Sequence, residues 1–303
     1  VTSLTGPPVF TSGALSSPRT RAAAATAAAN PSRQSAAAAL ASPNDFVDQT
    51  GKTLGIVCPD ATGAYVSTAP GEATRAPSPA KYDYRTKDLN TGQITISHTS
   101  VENVFNLPQQ AFTFDVVSEQ SGASTRTSYR VVPFQRVLPV ITNGNIPADQ
   151  KALAAQQAGI FITAIETRSA SGASQRLSFT PVASGQGAVP ISDFGLKVMK
   201  FPANVNPPPS WHSEAMDQAT QTKFSVDGAI SGQEGVNACG SKIEAWRVNI
   251  ANGTISSPGK QTTFTASYWF GTQYGGLSLQ NIEENSLGQR NESIIDTVPA
   301  PPQ

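Results

Sequence analysis

Between Thr53 and Glu283 the chain alternates apolar and polar residues with a period of two, and Gly, Pro, Asn, Asp and Ser punctuate the alternation. A period of two places successive side chains on opposite faces of an extended backbone, so it selects pleated strands over helices. The pattern predicts strands at "TLGIVCP", "GAYVSTA", "KYDYRTK", "QITISHT", "FTFDVVSEQ", "TRTSYRVVPF", "IFITAIETRS" and "QRLSFTPV". It continues through "FGLKVMKF", "FSVDGAI", "KIEAWRVNI", "QTTFTASYWF" and "LSLQNIE". Roughly a dozen short strands at regular spacing are the signature of a sandwich or barrel. The expected fold is mainly β, a β-sandwich or jelly-roll-like body over residues 50–285.

Helical insertions are expected at one or two places. "IPADQKALAAQQAG" has Pro147 at its start and Gly159 as a C-terminal stop. "SEAMDQATQTK" is a second, weaker helical stretch. Residues 1–49 form an extended arm containing "RAAAATAAAN" and "SRQSAAAALAS". These have high helix propensity but no wide apolar stripe, so they order only against another surface. Residues 286–303 are expected to be a C-terminal tail.

"SGASTRTSY" from Ser121 and "SGASQRLSF" from Ser171 share Ser-Gly-Ala-Ser, an arginine and an aromatic ring. Each lies where one alternating segment reverses into the next, so each predicts a hairpin loop with Gly122 or Gly172 at positive φ. Arg126 and Arg176 then occupy matching places on the returning strands and are candidate loop contacts. Reuse of turn chemistry accounts for the pair better than an internal duplication, because the match does not extend beyond the hairpins.

Composition narrows the function classes. The 21 basic and 21 acidic residues cancel to a net charge of zero, which removes any general attraction to nucleic acid or anionic membranes. Charged residues are only 14% of the chain, and hydroxyl and amide residues take their place, as suits an assembly subunit or an extracellular protein. No apolar run reaches the roughly 20 residues of a membrane helix. Cys58 and Cys239 read better as two buried thiols than as a disulfide, although an oxidising compartment allows the pair. Asn252 and Asn291 fit the glycosylation acceptor pattern, and Asn252-Gly253 also reads as a tight turn.

Catalytic motifs are scarce. His98 and His212 are the only histidines, and His212 has Glu214 and Asp217 nearby without a second histidine or cysteine at ligand spacing. "GKT" at Gly51 lacks the preceding glycine of a phosphate loop, since Phe46 stands there. No nucleophile, general base, metal site or cofactor site is expected, and the chain reads as a non-enzyme.

The leading expectation is a structural subunit of a self-assembling particle, a viral capsid protein located in the virion, with the processed-looking ends Val1 and Gln303 in support. Its partners would be copies of itself and other shell proteins, with little direct nucleic-acid binding and no membrane insertion. Arg19, Arg21 and Arg33 would contact neighbouring subunits or nucleic acid. The alternative is a secreted or cell-surface β-sandwich that binds carbohydrate or protein, with Trp211 and Trp269 as stacking surfaces.

Overall fold

The computed structural model describes residues 45–47, 53–57, 69–108, 111–181, 195–238 and 241–296, with Pro299 and Pro302. The arm arginines Arg19, Arg21 and Arg33, and both cysteines, lie outside the described residues. Strands β1 (Asp45–Val47) and β2 (Thr53–Val57) pair as a separate two-stranded sheet. Every other described strand belongs to one large antiparallel sheet.

That sheet begins with β3 (Lys81–Asp88), β4 (Ile94–Asn106), β5 (Phe112–Gln120), β6 (Ala123–Val132) and β7 (Gly159–Arg168). It continues through β8 (Ser174–Ser178), β9 (Thr180–Pro181), β10 (Leu196–Lys200) and β11 (Ser210–Asp217). The long strands β12 (Thr222–Ala238), β13 (Ser241–Ser257) and β14 (Lys260–Gly271) follow, then β15 (Leu277–Asn285) and β16 (Arg290–Ile295). The strand order is β10-β7-β6-β5-β4-β3-β16-β15-β14-β13-β12-β11-β9, with β8 on β7. The mainly β body is as the alternation indicated. Its connectivity is an up-and-down meander, in which nearly every strand pairs with its sequence neighbour, and not the Greek-key order of a jelly roll.

The two halves meet at β16 and β3, where Ser293 pairs with Thr86 and Ile295 with Tyr84. Arg290–Ile295, expected in the tail, is therefore a central strand. "SEAMDQATQTK" also differs from its helical reading: Ser210–Asp217 is strand β11, paired along its length with β12. Ser213, Ala215 and Asp217 are buried at alternating positions, which is a strand period that outweighs helix propensity here. Asn252-Gly253 is a bulge inside β13 and not a turn, because the register shifts between Ile250 and Gly253.

The sheet also closes on itself. Residues 174–181 run beside β7 on one side, with Glu166 opposite Arg176 and the Phe179 N–H donating to the Thr163 carbonyl at 2.9 Å. On the other side Thr180 and Pro181 pair with Met216 and Ala215 of β11. The consecutive short strands β8 and β9 thus join the two ends of the meander.

The enclosed face is apolar at one end. Phe112, Phe114, Tyr129, Val131, Ile160, Ile162, Leu196, Met199, Phe270 and Leu279 are buried in one cluster. The Phe114 and Tyr129 rings stack with centroids 5.1 Å apart. Outside the sheet, helices α1 (Phe134–Thr142) and α2 (Ala148–Gln156) pack against each other after β6. The second is the one the sequence predicts. The first was not anticipated, since Pro139 lies inside it. Lys197 of β10 is buried, lies 5.1 Å from the Phe161 ring centre and donates its ammonium to the Gln156 carbonyl at the end of α2.

Candidate functional site

At the other end of the enclosed face the inward positions become polar. Thr86 on β3, Ser97 and Thr99 on β4, Ser118 on β5, Thr125 and Thr127 on β6 and Ser293 on β16 are all buried. The registers place them side by side: Thr99 opposite Ser118, Ser118 opposite Thr125, and Thr86 opposite Ser293. Thr86 and Ser293 share a hydrogen bond of 2.8 Å, and Thr99 donates to Ser118 at 3.4 Å. The hydroxyls of Ser97, Thr125 and Thr127 have no protein partner, at exposures of 0%, 1% and 1%.

A carboxyl group belongs to the same polar end. On β15 the positions opposite inward-facing Tyr268 and Ala266 are Asn281 and Glu283. Tyr268 donates its hydroxyl to Glu283 Oε1 at 3.1 Å, and Asn281 Nδ2 donates to the same oxygen at 3.2 Å. Enclosure of the carboxyl pushes its pKa up to about 8, against the lowering effect of these two donors. The residue as a whole is half-buried because it lines a cleft with Ile255, Thr262, Phe264, Asn285, Gln289 and Asn291. The cleft encloses about 10 Å³, room for one water molecule. Tyr84 and Tyr129 complete the buried ring of phenols. Burial raises the pKa of each, and the neighbouring Tyr82 phenol adds to this at Tyr84, as do the Tyr84 phenol and the Glu283 carboxyl at Tyr129.

The inward positions of β3–β6 and β16 carry no lysine or arginine, and Lys260 stands in phase with inward Thr262 and Phe264 at the exposed start of β14, opposite Ser257. No three His, Cys, Asp or Glu side chains among the described residues group as metal ligands. The site offers hydroxyls, the amides of Asn281, Asn285, Gln289 and Asn291 and, at neutral pH, a protonated carboxyl. Such a set exchanges hydrogen bonds with neutral groups.

The residues singled out by sequence lie elsewhere. Arg126 stands on the outer face of β6 and donates to Asp115 at 2.8 Å and Glu102 at 3.1 Å. Burial would lower its pKa, but the hydrogen bonds and charges of Asp115 and Glu102 outweigh this and raise it. Arg176 is 3.7 Å from Glu166, and Glu166 is also the cross-strand partner of Arg126. The two Ser-Gly-Ala-Ser hairpins are therefore neighbours, with one acid between their matching arginines. Ser121 and Gly122 both have positive φ, 50° and 79°, as a tight hairpin turn requires, and Gly172 has φ 88°. His98 and His212 are exposed outer-face residues, each with Nδ1 2.7 Å from an aspartate, Asp83 and Asp227 respectively. His212 is on a strand, not in a loop, and Nε2 lies 3.5 Å from Glu214.

Neither tryptophan offers a free stacking face. Trp269 is 6% exposed, donates to Glu234 at 2.9 Å and lies beneath the Arg247 guanidinium, 5.1 Å from its ring centre. Trp211 covers Gly228 and donates to the Lys197 carbonyl at 3.2 Å. What sequence reading missed is the hydroxyl wall and Glu283. The signal was present as inverted phase: in "ITISHTSV" the isoleucines Ile94 and Ile96 face outward while Thr95, Ser97 and Thr99 face in.

No protein-family model matches the chain, and no curated protein sequence is similar to it. Some solved structures resemble it. A chain from Parabacteroides distasonis described as a lipoprotein is 8% identical with a TM-score of 0.37, over 76% of this chain and 99% of that one. A chain from Bacteroides fragilis described as an exported protein with a YmcC-like fold is 10% identical with a TM-score of 0.37, over 75% and 100%. YmcC of Escherichia coli, described as a lipoprotein, is 11% identical with a TM-score of 0.28, over 73% and 85%. These are bacterial lipoproteins and exported proteins by description, not shell proteins, and the capsid and virion reading is corrected on that finding. No helix among the described residues is long and apolar enough to cross a membrane.

Proposed function

We propose that the chain is a secreted or cell-surface binding protein, not an enzyme, whose ligand is neutral and rich in hydroxyls, of the saccharide or polyol class. One observation carries this reading: Ser97, Thr125 and Thr127 present buried hydroxyls without protein partners, on three nearby inward positions. Leaving a buried hydroxyl unsatisfied costs about 1–3 kcal/mol, and valine would fill either threonine site at nearly the same volume without that cost. A sequence that keeps all three has a use for them. Hydroxyl ligands complement such a wall because each group both donates and accepts.

Neutrality follows from the same wall. Glu283 holds its proton at neutral pH, and the charged side chains in phase with the wall stand at its edges, Asp217 already held by Ser178 and Thr220 and Lys260 exposed at the start of β14, so a ligand against the wall meets hydroxyls. The extracellular setting rests on the low charge and hydroxyl-rich composition.

The test is a titration of the full chain with neutral mono- and disaccharides and with glycerol, followed by calorimetry and ligand-observed NMR. Saturable binding, weakened at least tenfold by Thr127→Val and by Glu283→Gln, is the expected result. Absence of binding across the panel, or binding that both variants leave intact, overturns the reading. So does a crystal structure from saccharide-containing solution in which only water meets the three hydroxyls.

A further inference from the structure

We infer that the closed sheet opens along one line, the seam where β11 meets β10 and residues 174–181, and that this seam admits ligands to the hydroxyl wall. The destination rests on the ligand reading above, whereas the opening itself rests on hydrogen bonding alone. As folded, the cleft at Glu283 has room for one water molecule, so anything larger needs another way in.

Around the rest of the sheet, neighbouring strands share continuous ladders. β12 and β13, for example, pair from Lys223 and Ser256 to Ala238 and Ser241. At the seam just two positions pair, Ala215 with Pro181 and Met216 with Thr180, and Pro181 has no N–H to give. Side chains do the joining instead. The Ser178 N–H donates to Asp217 Oδ1 at 2.9 Å, the Lys197 N–H to Ser213 Oγ at 2.8 Å, and Trp211 Nε1 to the Lys197 carbonyl at 3.2 Å. Behind them the Phe179 and Phe224 rings meet edge to face at 4.7 Å. Water can replace each of these polar links singly, so separation does not require a cooperative ladder to unzip.

Asp217 is built as a latch on the β11 side. Its Oδ2 accepts from the Thr220 N–H at 2.8 Å and the Thr220 hydroxyl at 2.6 Å, which fixes the carboxylate before it meets Ser178. Opening the latch leads directly to polar surface. Gln175 on β8 is the cross-strand partner of Thr167, and Thr167 is the partner of Thr125 in the hydroxyl wall. On the opposite lip, Asp217 pairs with Thr222, whose hydroxyl shares a 3.0 Å hydrogen bond with Ser257. The seam and the unpartnered hydroxyls thus lie on one polar row.

Residue-resolved amide hydrogen exchange on the full chain without ligand tests the opening. The Ser178 and Lys197 amides should exchange at least tenfold faster than ladder amides of β13 and β14. Ser213→Ala, which removes one link and leaves the Asp217 turn intact, should speed both further and leave β13 and β14 unchanged. Seam amides as slow as those of β13, exchanging only through global unfolding, overturn the inference. Fast seam exchange in a protein that binds no saccharide removes the ligand reading and leaves the opening in place. Saccharide binding with uniformly slow exchange does the reverse.

Discussion

Tyr268 donates its hydroxyl to Glu283 Oε1 at 3.1 Å inside a sheet whose core is otherwise mostly hydrocarbon. Burial raises the pKa of Glu283 to about 8, whereas in the unfolded chain it returns to about 4.5. Between those values the native state holds a proton that the unfolded state has released, so stability falls as pH rises through this window. Glu283→Gln keeps the size and removes the titration. The variant should match the wild type near pH 4 and exceed it by about 1–3 kcal/mol at pH 9 in urea denaturation. A wild-type protein whose stability is flat from pH 5 to 8 would contradict the enclosed carboxyl.

Lys197 gives the opposite slope. Burial beneath α2, reinforced by the nearby Lys200 charge, lowers its pKa from 10.5 to about 7. Above that value the native amine is neutral while the unfolded amine stays protonated, so stability rises with pH from about 7 toward 10.5 and is lost as pH falls through the native value. Lys197→Met retains the stem over the Phe161 ring and removes the charge. Thermal denaturation at pH 6.5 should show the variant more stable by about 1–2 kcal/mol, with the difference gone near pH 10. A loss of stability at every pH would mean that the bond to the Gln156 carbonyl outweighs the cost of burying the amine.

The unpartnered hydroxyls predict a trade between stability and binding. Thr125→Val and Thr127→Val replace a buried hydroxyl by a methyl group of similar volume on inward positions of one strand. Without ligand each should stabilise the protein by about 1 kcal/mol, because an unsatisfied oxygen is removed. Both should abolish the saccharide-dependent rise in Tm. Valine variants that destabilise the free protein by a similar amount would show that the hydroxyls are already satisfied.

The strands of β5 and β6 were legible to the residue or nearly so, because alternation, a Ser-Gly turn and a positive φ at Gly122 all agree. β11 was not, since "SEAMDQATQTK" is built from good helix formers and its strand state comes from pairing with β12 over eight positions. The tail was misread for the same reason: Arg290–Ile295 is too short and polar to announce itself, and it becomes a strand by filling the gap between β15 and β3. The candidate site was hidden by a change of phase. Alternation says which residues share a face, but not which face is enclosed, and β4 encloses its hydroxyls while Ile94 and Ile96 point out.

Gly228 carries the most specific packing requirement near the seam. It stands opposite Trp211 across β11 and β12, and a Cβ built there would lie 2.3 Å from Trp211 Cζ2 and 2.4 Å from Cε2. The indole cannot retreat freely, because its Nε1 is bonded to the Lys197 carbonyl and the ring spans the seam. Gly228→Ala should therefore cost about 2–3 kcal/mol and loosen the seam, seen as faster exchange at the Lys197 amide. Trp211→Leu alone should also destabilise, by loss of the indole bond and buried area. The double variant should recover part of the loss, a coupling of about 1 kcal/mol or more in a double-mutant cycle. Additive effects would mean that the tryptophan and the glycine do not meet as described.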